Sequence, residues 1–332
     1  MFARWLQRQW FEQRRLSPAL WLLLPLTGLF IVLAAGKRWL TRPEKLSVPV
    51  LVVGNITVGG AGKTPLTLWL AQQLTARGLK PGIVSRGYGG TNTSVRAVEV
   101  NASVTEVGDE PLLLARRSGV PVWIGRDRVS AGRGLLAAHP EIDLILCDDG
   151  LQHARLARDI ELAVFDGRGL GNGWRLPVGP LRESVQRIVT VDAIICHNFS
   201  GQQMPPSVPQ FAMSLRAKSF YRLDDPQQTC TAEALVGKKL HAVAGIGDPK
   251  RFFRTLESLG LSFTAHPFPD HHTYSAADLA FANDGILLMT EKDAVKCAGL
   301  TLGETWVLPV EAELSPALID LILEKLRGRQ AA

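Results

Sequence analysis

Residues 49–65 read PVLVVGNITVGGAGKTP, an apolar run closed by a glycine-rich turn and followed at once by Lys63-Thr64 and a helical pattern. A buried strand, a turn of glycines and a helix start, in that order, set backbone N–H groups around an anion. Thr57, Val58, Gly59, Gly60, Ala61, Gly62, Lys63 and Thr64 therefore read as a phosphate-binding loop: Lys63 reaches the outer phosphates of a nucleotide and the Thr64 hydroxyl holds magnesium. Thr57 stands where the strict G-x-x-x-x-G-K-[ST] pattern has its first glycine. Pro65 sits near the helix start, where its missing N–H costs nothing.

The alternation continues downstream. Apolar runs at 82–85, 121–124, 142–147, 160–165 and 190–196 are interleaved with helical patterns at 65–77, 109–118 and 127–138. Near-continuous apolar strands between helices predict an α/β fold, a P-loop NTPase-like parallel sheet covered by helices. A Pro- and Gln-rich stretch, 201–210, reads as a surface connection. A second α/β pattern follows, with strands at 239–244, 261–265, 285–290 and 305–309 and helices at 248–259 and 314–327. The predicted organisation is a membrane-associated N-terminal helix (1–40), a P-loop core (41–200), a connection (201–235) and a smaller α/β lobe (236–332). The active site belongs in the cleft between the lobes.

With 332 residues, 46% of them hydrophobic, the chain can bury at least one full core, which excludes intrinsic disorder. Cys147, Cys196, Cys230 and Cys297 lie far apart with no C-x-x-C pair. That excludes a zinc ribbon and a disulfide framework and fits a reducing cytoplasm. The net charge of +6 lies entirely in residues 1–45, because the remaining 287 residues carry 29 basic and 29 acidic side chains. A nucleic-acid partner would need a basic stripe on a folded domain, and none is expected. A basic collar around an apolar segment instead suits anionic lipid headgroups.

That segment, LSPALWLLLPLTGLFIVLAAG (16–36), holds 21 residues without a charge. As one helix it would reach roughly 31 Å, close to the thickness of a bilayer's hydrocarbon. Trp5, Trp10, Trp21 and Trp39 suit an interfacial belt. The length of the run and the Lys37-Arg38 behind it argue against a cleaved signal peptide. Four basic residues on each flank (Arg4, Arg8, Arg14 and Arg15 before; Lys37, Arg38, Arg42 and Lys45 after) give a single span no orientation. An anchor entering one leaflet, bent at Pro25 with both flanks cytoplasmic, is preferred, and a bitopic span is the alternative.

Further constellations carry chemistry, each with a plainer reading beside it. IDLILCDDG (142–150) is an apolar strand ending in carboxylates, the Walker B arrangement, and Asp148 and Asp149 both qualify to serve magnesium. SRGYGG (85–90) ends a strand where ligands bind in open α/β sheets, or is only a tight turn. VGDEP (107–111) sets Asp109 and Glu110 at a helix start, as catalytic acids or as a cap. Residues 166–183, DGRGLGNGWRLPVGPLRE, bring Arg168, Arg175 and Arg182 to a Gly/Pro loop, for an anionic ligand or as ordinary surface. Asp270-His271-His272 reads as a base pair, a turn or, least well without a third His or a Cys nearby, a metal site.

TVGGAGKT, SRGYGG, VGDEP, DDGLQH, LPxGPLRE, FPDHH and TEKDAVK, in this order behind an apolar anchor, resemble the tetraacyldisaccharide 4′-kinase (lipid A 4′-kinase) family. The resemblance runs from the anchor to about Lys296. It implies transfer of the ATP γ-phosphoryl group to the 4′-hydroxyl of a membrane-held tetraacyldisaccharide 1-phosphate, giving lipid IVA, with ATP and Mg2+ as cofactors. It further implies Asp109 as general base paired with His271 or His272, and Lys63 and Thr64 at the phosphates and magnesium. Asp148 and Asp149 would be metal-associated acids, Glu110 and Glu183 helpers with Glu183 toward the metal, and Arg86 and Tyr88 contacts to the substrate headgroup. The expected location is the cytoplasmic face of a bacterial inner membrane, with no protein partner implied. The rival class is a membrane-tethered regulatory ATPase, against which Val58 occupies the place of that group's signature lysine.

Overall fold

The structure, a computed structural model, describes residues 2–13, 16–91, 94–198 and 204–330. Arg14, Arg15, the Arg4 side chain and residues 201–203 of the predicted connection lie outside the described residues. Helices α1 (Phe2–Phe11), α2 (Pro18–Trp21) and α3 (Leu24–Leu40) precede β1 (Val50–Gly54), α4 (Lys63–Ala76), β2 (Pro81–Ser85) and β3 (Arg96–Ala97). Next come α5 (Val104–Val107), α6 (Asp109–Ser118), β4 (Val122–Ile124), α7 (Arg128–Ala138), β5 (Leu144–Asp148), β6 (Ile160–Asp166), β7 (Ala193–His197) and β8 (Gln210–Ala217). The chain continues through β9 (Phe220–Arg222), β10 (Thr229–Cys230), β11 (Leu240–Ala244), α8 (Pro249–Ser258) and β12 (Thr264–Pro267). It ends with β13 (Ile286–Thr290), α9 (Glu291–Ala294), β14 (Thr305–Leu308), β15 (Val310–Leu314) and α10 (Ala317–Gln330).

The larger sheet has nine strands in the order β15-β8-β7-β6-β1-β5-β2-β4-β3, parallel from β8 to β4 with an antiparallel strand at each edge. Val50, Leu51, Val52 and Val53 of β1 are all buried, which is why that strand reads as an unbroken apolar run. After β1 the chain builds β2 and β4 on one side, returns to insert β5, and then crosses to β6 and β7. The strand order reverses around β1, and its carboxyl end opens the crevice where open α/β sheets bind ligands. The smaller sheet, β10-β9-β14-β13-β11-β12, is parallel from β14 to β12.

Two stretches differ from the expected organisation. Residues 210–217, expected to link the lobes, form β8 of the larger sheet, and β15 pairs antiparallel with it from Val310↔Ala217 to Leu314↔Met213. Leu318, Ile319, Ile322 and Leu326 of α10 are buried in the same core as α4. Residues 310–330 therefore return to the larger lobe, where β15 covers the edge that β8 would otherwise leave open. The cue was weak because only Met213 of β8 is buried.

The N-terminal apolar run is not one helix: it divides between α2 and α3, and among the described residues no helix is long and apolar enough to cross a membrane. One side of the segment docks, with Leu20 and Thr27 buried and the Thr27 hydroxyl accepting from the Val178 N–H at 3.4 Å. The other side leaves Leu22, Val32, Leu33, Trp39 and Leu40 exposed, Leu22 at 81% and Trp39 at 85%.

In the smaller lobe the fully buried Asp293 accepts from the Gly245 N–H (3.0 Å), the Tyr274 hydroxyl (2.9 Å) and the Thr290 hydroxyl (2.6 Å), and pairs with Lys296 Nζ at 2.8 Å. Asp293→Ala leaves a buried ammonium without its counter-ion, at a cost of about 3–5 kcal/mol. Urea unfolding should show a lower midpoint in the variant, and an unchanged midpoint would contradict this account.

Candidate active site

The turn after β1 takes the shape its glycines permit. Gly59 and Gly62 adopt φ of 101° and 94°, a region closed to most side chains, and Gly62 precedes the first residue of α4. Lys63 Nζ lies 3.3 Å from Asn55 Oδ1 and 3.3 Å from Asp149 Oδ1. Asn55, fully buried, also donates to the Gly59 carbonyl at 3.1 Å, so it ties the lysine to its own loop. Thr57 and Val58 face elsewhere: Thr57 is buried in a bridge to Leu181, and the Val58 N–H is donated to the Pro180 carbonyl at 2.9 Å. The anion-facing part of the loop is thus Gly59 to Thr64.

Asp148 and Asp149 leave the end of β5 in different environments. Asp148 is buried and accepts from the Thr67 hydroxyl at 3.3 Å. Burial first, and then the negative charges of Glu110 and Asp149, push its carboxyl up to about 7. Asp149, at φ 49°, faces Lys63 and Arg182 (3.6 Å), whose charges outweigh burial and hold it below the usual carboxylate range. Glu183 is held by Gln152 (2.7 Å), Arg187 (3.4 Å) and Arg38 (3.8 Å) rather than by a P-loop residue. Hard oxygen donors at Thr64, Asp148 and Asp149 beside a glycine cradle fit a nucleotide with magnesium, an ion that keeps several waters and takes few protein ligands. No cluster of three or more His, Cys, Asp or Glu suited to a metal occurs among the described residues.

Across the cleft, Asp109 at the first turn of α6 meets His271 of the smaller lobe: Nδ1 lies 2.9 Å from Oδ2 and 3.1 Å from Oδ1. His272 turns away, 3.5 Å from Asp278 and packed by its ring against Phe268 and Tyr274. Gly108 explains how Asp109 is aimed. A Cβ there would fall 2.2 Å from the Tyr88 carbonyl oxygen, so the VGDEP and SRGYGG turns touch backbone to backbone. Tyr88 thereby stands beside the pair, its ring centroid 5.1 Å from that of His271. Arg86, at the end of β2, and Tyr88 are both exposed and line the cleft.

Lys292, at the start of α9, completes this cluster. Its Nζ lies 3.0 Å from Glu110, 3.3 Å from Asp270 and 3.7 Å from Asp109. Burial opposes ionisation of Asp109, but the His271 hydrogen bond and the Lys292 charge outweigh it, and its carboxyl lies below the usual range. The same hydrogen bond raises His271. Sequence reasoning did not assign roles to Asn55 or Lys292. Asn55 acts within its own turn, on Gly59 and Lys63, where no motif position marks it, whereas the partners of Lys292 come from distant segments, as in its contact with Glu110.

One cleft of about 2300 Å³ joins these parts, lined by Gly59–Thr64, Arg86, Tyr88, His271 and Lys292 and also by Phe30 and Leu33 of α3. Asp149, Asn198 and His271, the non-glycine residues with positive φ among those described, all border it. Strained backbone gathered at one cavity marks a functional site.

A P-loop fold whose lysine shares one cleft with the histidine of a carboxylate–imidazole pair defines a phosphotransferase that acts on a hydroxyl. The family model for tetraacyldisaccharide-1-P 4′-kinase matches residues 19–327, and the chain belongs to that family. It is 68% identical over 333 residues to the tetraacyldisaccharide 4′-kinase of Dechloromonas aromatica (strain RCB), with 100% of both chains covered. It is 50% identical to that of Azoarcus sp. (strain BH72), with 96% of each covered. The crystal structure of LpxK from Aquifex aeolicus in complex with ATP superposes with a TM-score of 0.79 at 29% identity, covering 93% of this chain and 99% of that one.

Lys292 carries a pH signature. Its charge lowers both Asp109 and His271, so Lys292→Met should raise both pKa values. The acid limb of the pH dependence of kcat/KM should move to higher pH whichever group sets it. A limb that stays in place would remove Lys292 from the titrating cluster.

Proposed function

We propose that this cleft carries out its family's reaction with Asp109 as the general base. The chain is an ATP-dependent kinase that phosphorylates the 4′-hydroxyl of a tetraacyldisaccharide 1-phosphate to form lipid IVA. ATP supplies the phosphoryl group, and bound magnesium neutralises its developing charge. Lys63 and the Gly59–Gly62 amides bind the phosphates. Asp109, ionised at neutral pH, accepts the proton of the acceptor hydroxyl, and His271 orients the carboxylate through Nδ1 and draws off part of its charge. Arg86 and Tyr88 hold the sugar headgroup beside that pair. Asp148 and Asp149 serve the metal, while Glu183 braces Gln152 and Arg187. The observation that carries the assignment is the 2.9 Å contact of Asp109 with His271 in the same cleft as Lys63.

The acceptor's acyl chains account for the N-terminal segment. Transferring a multiply acylated molecule into water costs about 0.8 kcal/mol per CH₂, so the enzyme must work at the lipid surface. The exposed apolar side of α2 and α3 seats in one leaflet of the cytoplasmic face of the inner membrane, with Lys37 and Arg38 toward anionic headgroups. Phe30 and Leu33 on the cleft wall support a continuous path from that seat to the reacting groups.

Lys63→Ala and Asp109→Ala should each lower kcat by at least about 100-fold in purified, folded protein. Transfer of labelled phosphate to extracted disaccharide measures this, and near-normal turnover of either variant would remove its assigned role. Replacing Leu22, Val32 and Trp39 together by Ser should reduce cosedimentation with phosphatidylglycerol-containing vesicles while leaving ATP affinity unchanged. Undiminished vesicle binding would count against the seat.

A further inference from the structure

The loop between β6 and β7 opens with a cluster that the reaction scheme above does not use. Asp166, at the end of β6, is buried. Its carboxylate accepts from Arg168 Nε at 3.0 Å on both oxygens and from the Arg168 backbone N–H at 3.1 Å, and it pairs with Arg168 Nη2 at 2.8 Å. A second guanidinium reaches the same carboxylate from the other lobe: Arg251 Nη2, on α8, lies 3.2 Å from Asp166 Oδ2. Two arginines thus converge on one buried acid, and burial is outweighed by their charges, which hold it ionised.

Arg168 does more than neutralise Asp166. Its Nη2 donates to the Gly60 carbonyl at 3.3 Å, and its guanidinium lies against Gly59, where a Cβ would stand only 3.0 Å from Nη1. A carbonyl held from outside the turn fixes the plane of its peptide, and the N–H of that peptide unit then points the opposite way. The guanidinium also lies over the Phe11 ring at the end of α1, 4.8 Å from its centroid.

We propose that Arg168 is a positioning residue for the nucleotide's phosphates, and that Arg251 conveys the position of the smaller lobe to the P-loop through Asp166. The inference rests on the kinase reading and adds to it how the lobes and the phosphate cradle are coupled. Arg251 needs no contact with the nucleotide: it braces Asp166, Asp166 holds Arg168, and Arg168 sets the Gly59–Gly60 turn.

The test is a double-mutant cycle on the full chain, with KM for ATP, KM for the disaccharide and kcat measured separately and folding checked by thermal melting. Arg168→Ala should raise KM for ATP about tenfold, the loss of one charge-assisted hydrogen bond, with KM for the disaccharide unchanged. Arg251→Met should raise KM for ATP by a smaller factor, and the double variant should be no worse than Arg168→Ala alone. Arg168→Lys keeps the charge but not the fork and should remain impaired. If Arg168→Ala melts early, Asp166→Asn, of nearly the same shape, gives the same readout. An unchanged KM for ATP, a double variant equal to the product of the singles, or full rescue by lysine would each overturn the proposal. Wild-type protein that transfers no phosphate to the disaccharide would instead overturn the kinase reading itself.

Discussion

Taking the Asp109 carboxylate out of water is unfavourable unless cations come with it, and both of its cationic partners, His271 and Lys292, belong to the smaller lobe. On its own helix the neighbouring charge is Glu110, another acid. Contact between the two lobes and ionisation of the reacting acid therefore favour one another. Arg117 of α6, paired with Glu291 of α9, adds a further ion pair across the same seam.

The 166–183 loop plays a comparable part beside the P-loop. Its Pro180 carbonyl takes the Val58 N–H, its Arg182 N–H bonds the Ile56 carbonyl, and its Pro177 carbonyl accepts from the Trp10 indole at 3.1 Å. Val178 reaches Thr27 of α3. The N-terminal helices and the strand-to-helix turn around the phosphates are thus fastened to one short, glycine-rich segment, and neither can shift far without displacing it.

Much of this was legible before any coordinates. Apolar strands that are buried on both faces announce themselves, and the P-loop, the paired acids after β5 and the order of the motifs pointed to phosphoryl transfer. The meeting of residues 109 and 271 came from the family resemblance, because no local pattern links positions 162 apart. Which histidine faces the acid was left open, since two adjacent imidazoles look alike until a backbone conformation separates them. The edge strand β15 and its neighbour β8 escape a reading by apolar runs because each buries a single residue and lacks the continuity that marks the central strands. Lys292 and Arg251 share a different obscurity: a polar residue that earns its place through distant partners has no periodicity of its own.

The left-handed backbone at Asp149, Asn198 and His271 has a consequence for anyone wishing to toughen the molecule. Glycine would relax those torsions, yet it would delete the carboxylate facing Lys63 at one site and the imidazole facing Asp109 at another. Heat resistance must therefore be sought elsewhere, in loops and edges remote from the cleft, because tension at these corners and turnover are properties of the same atoms.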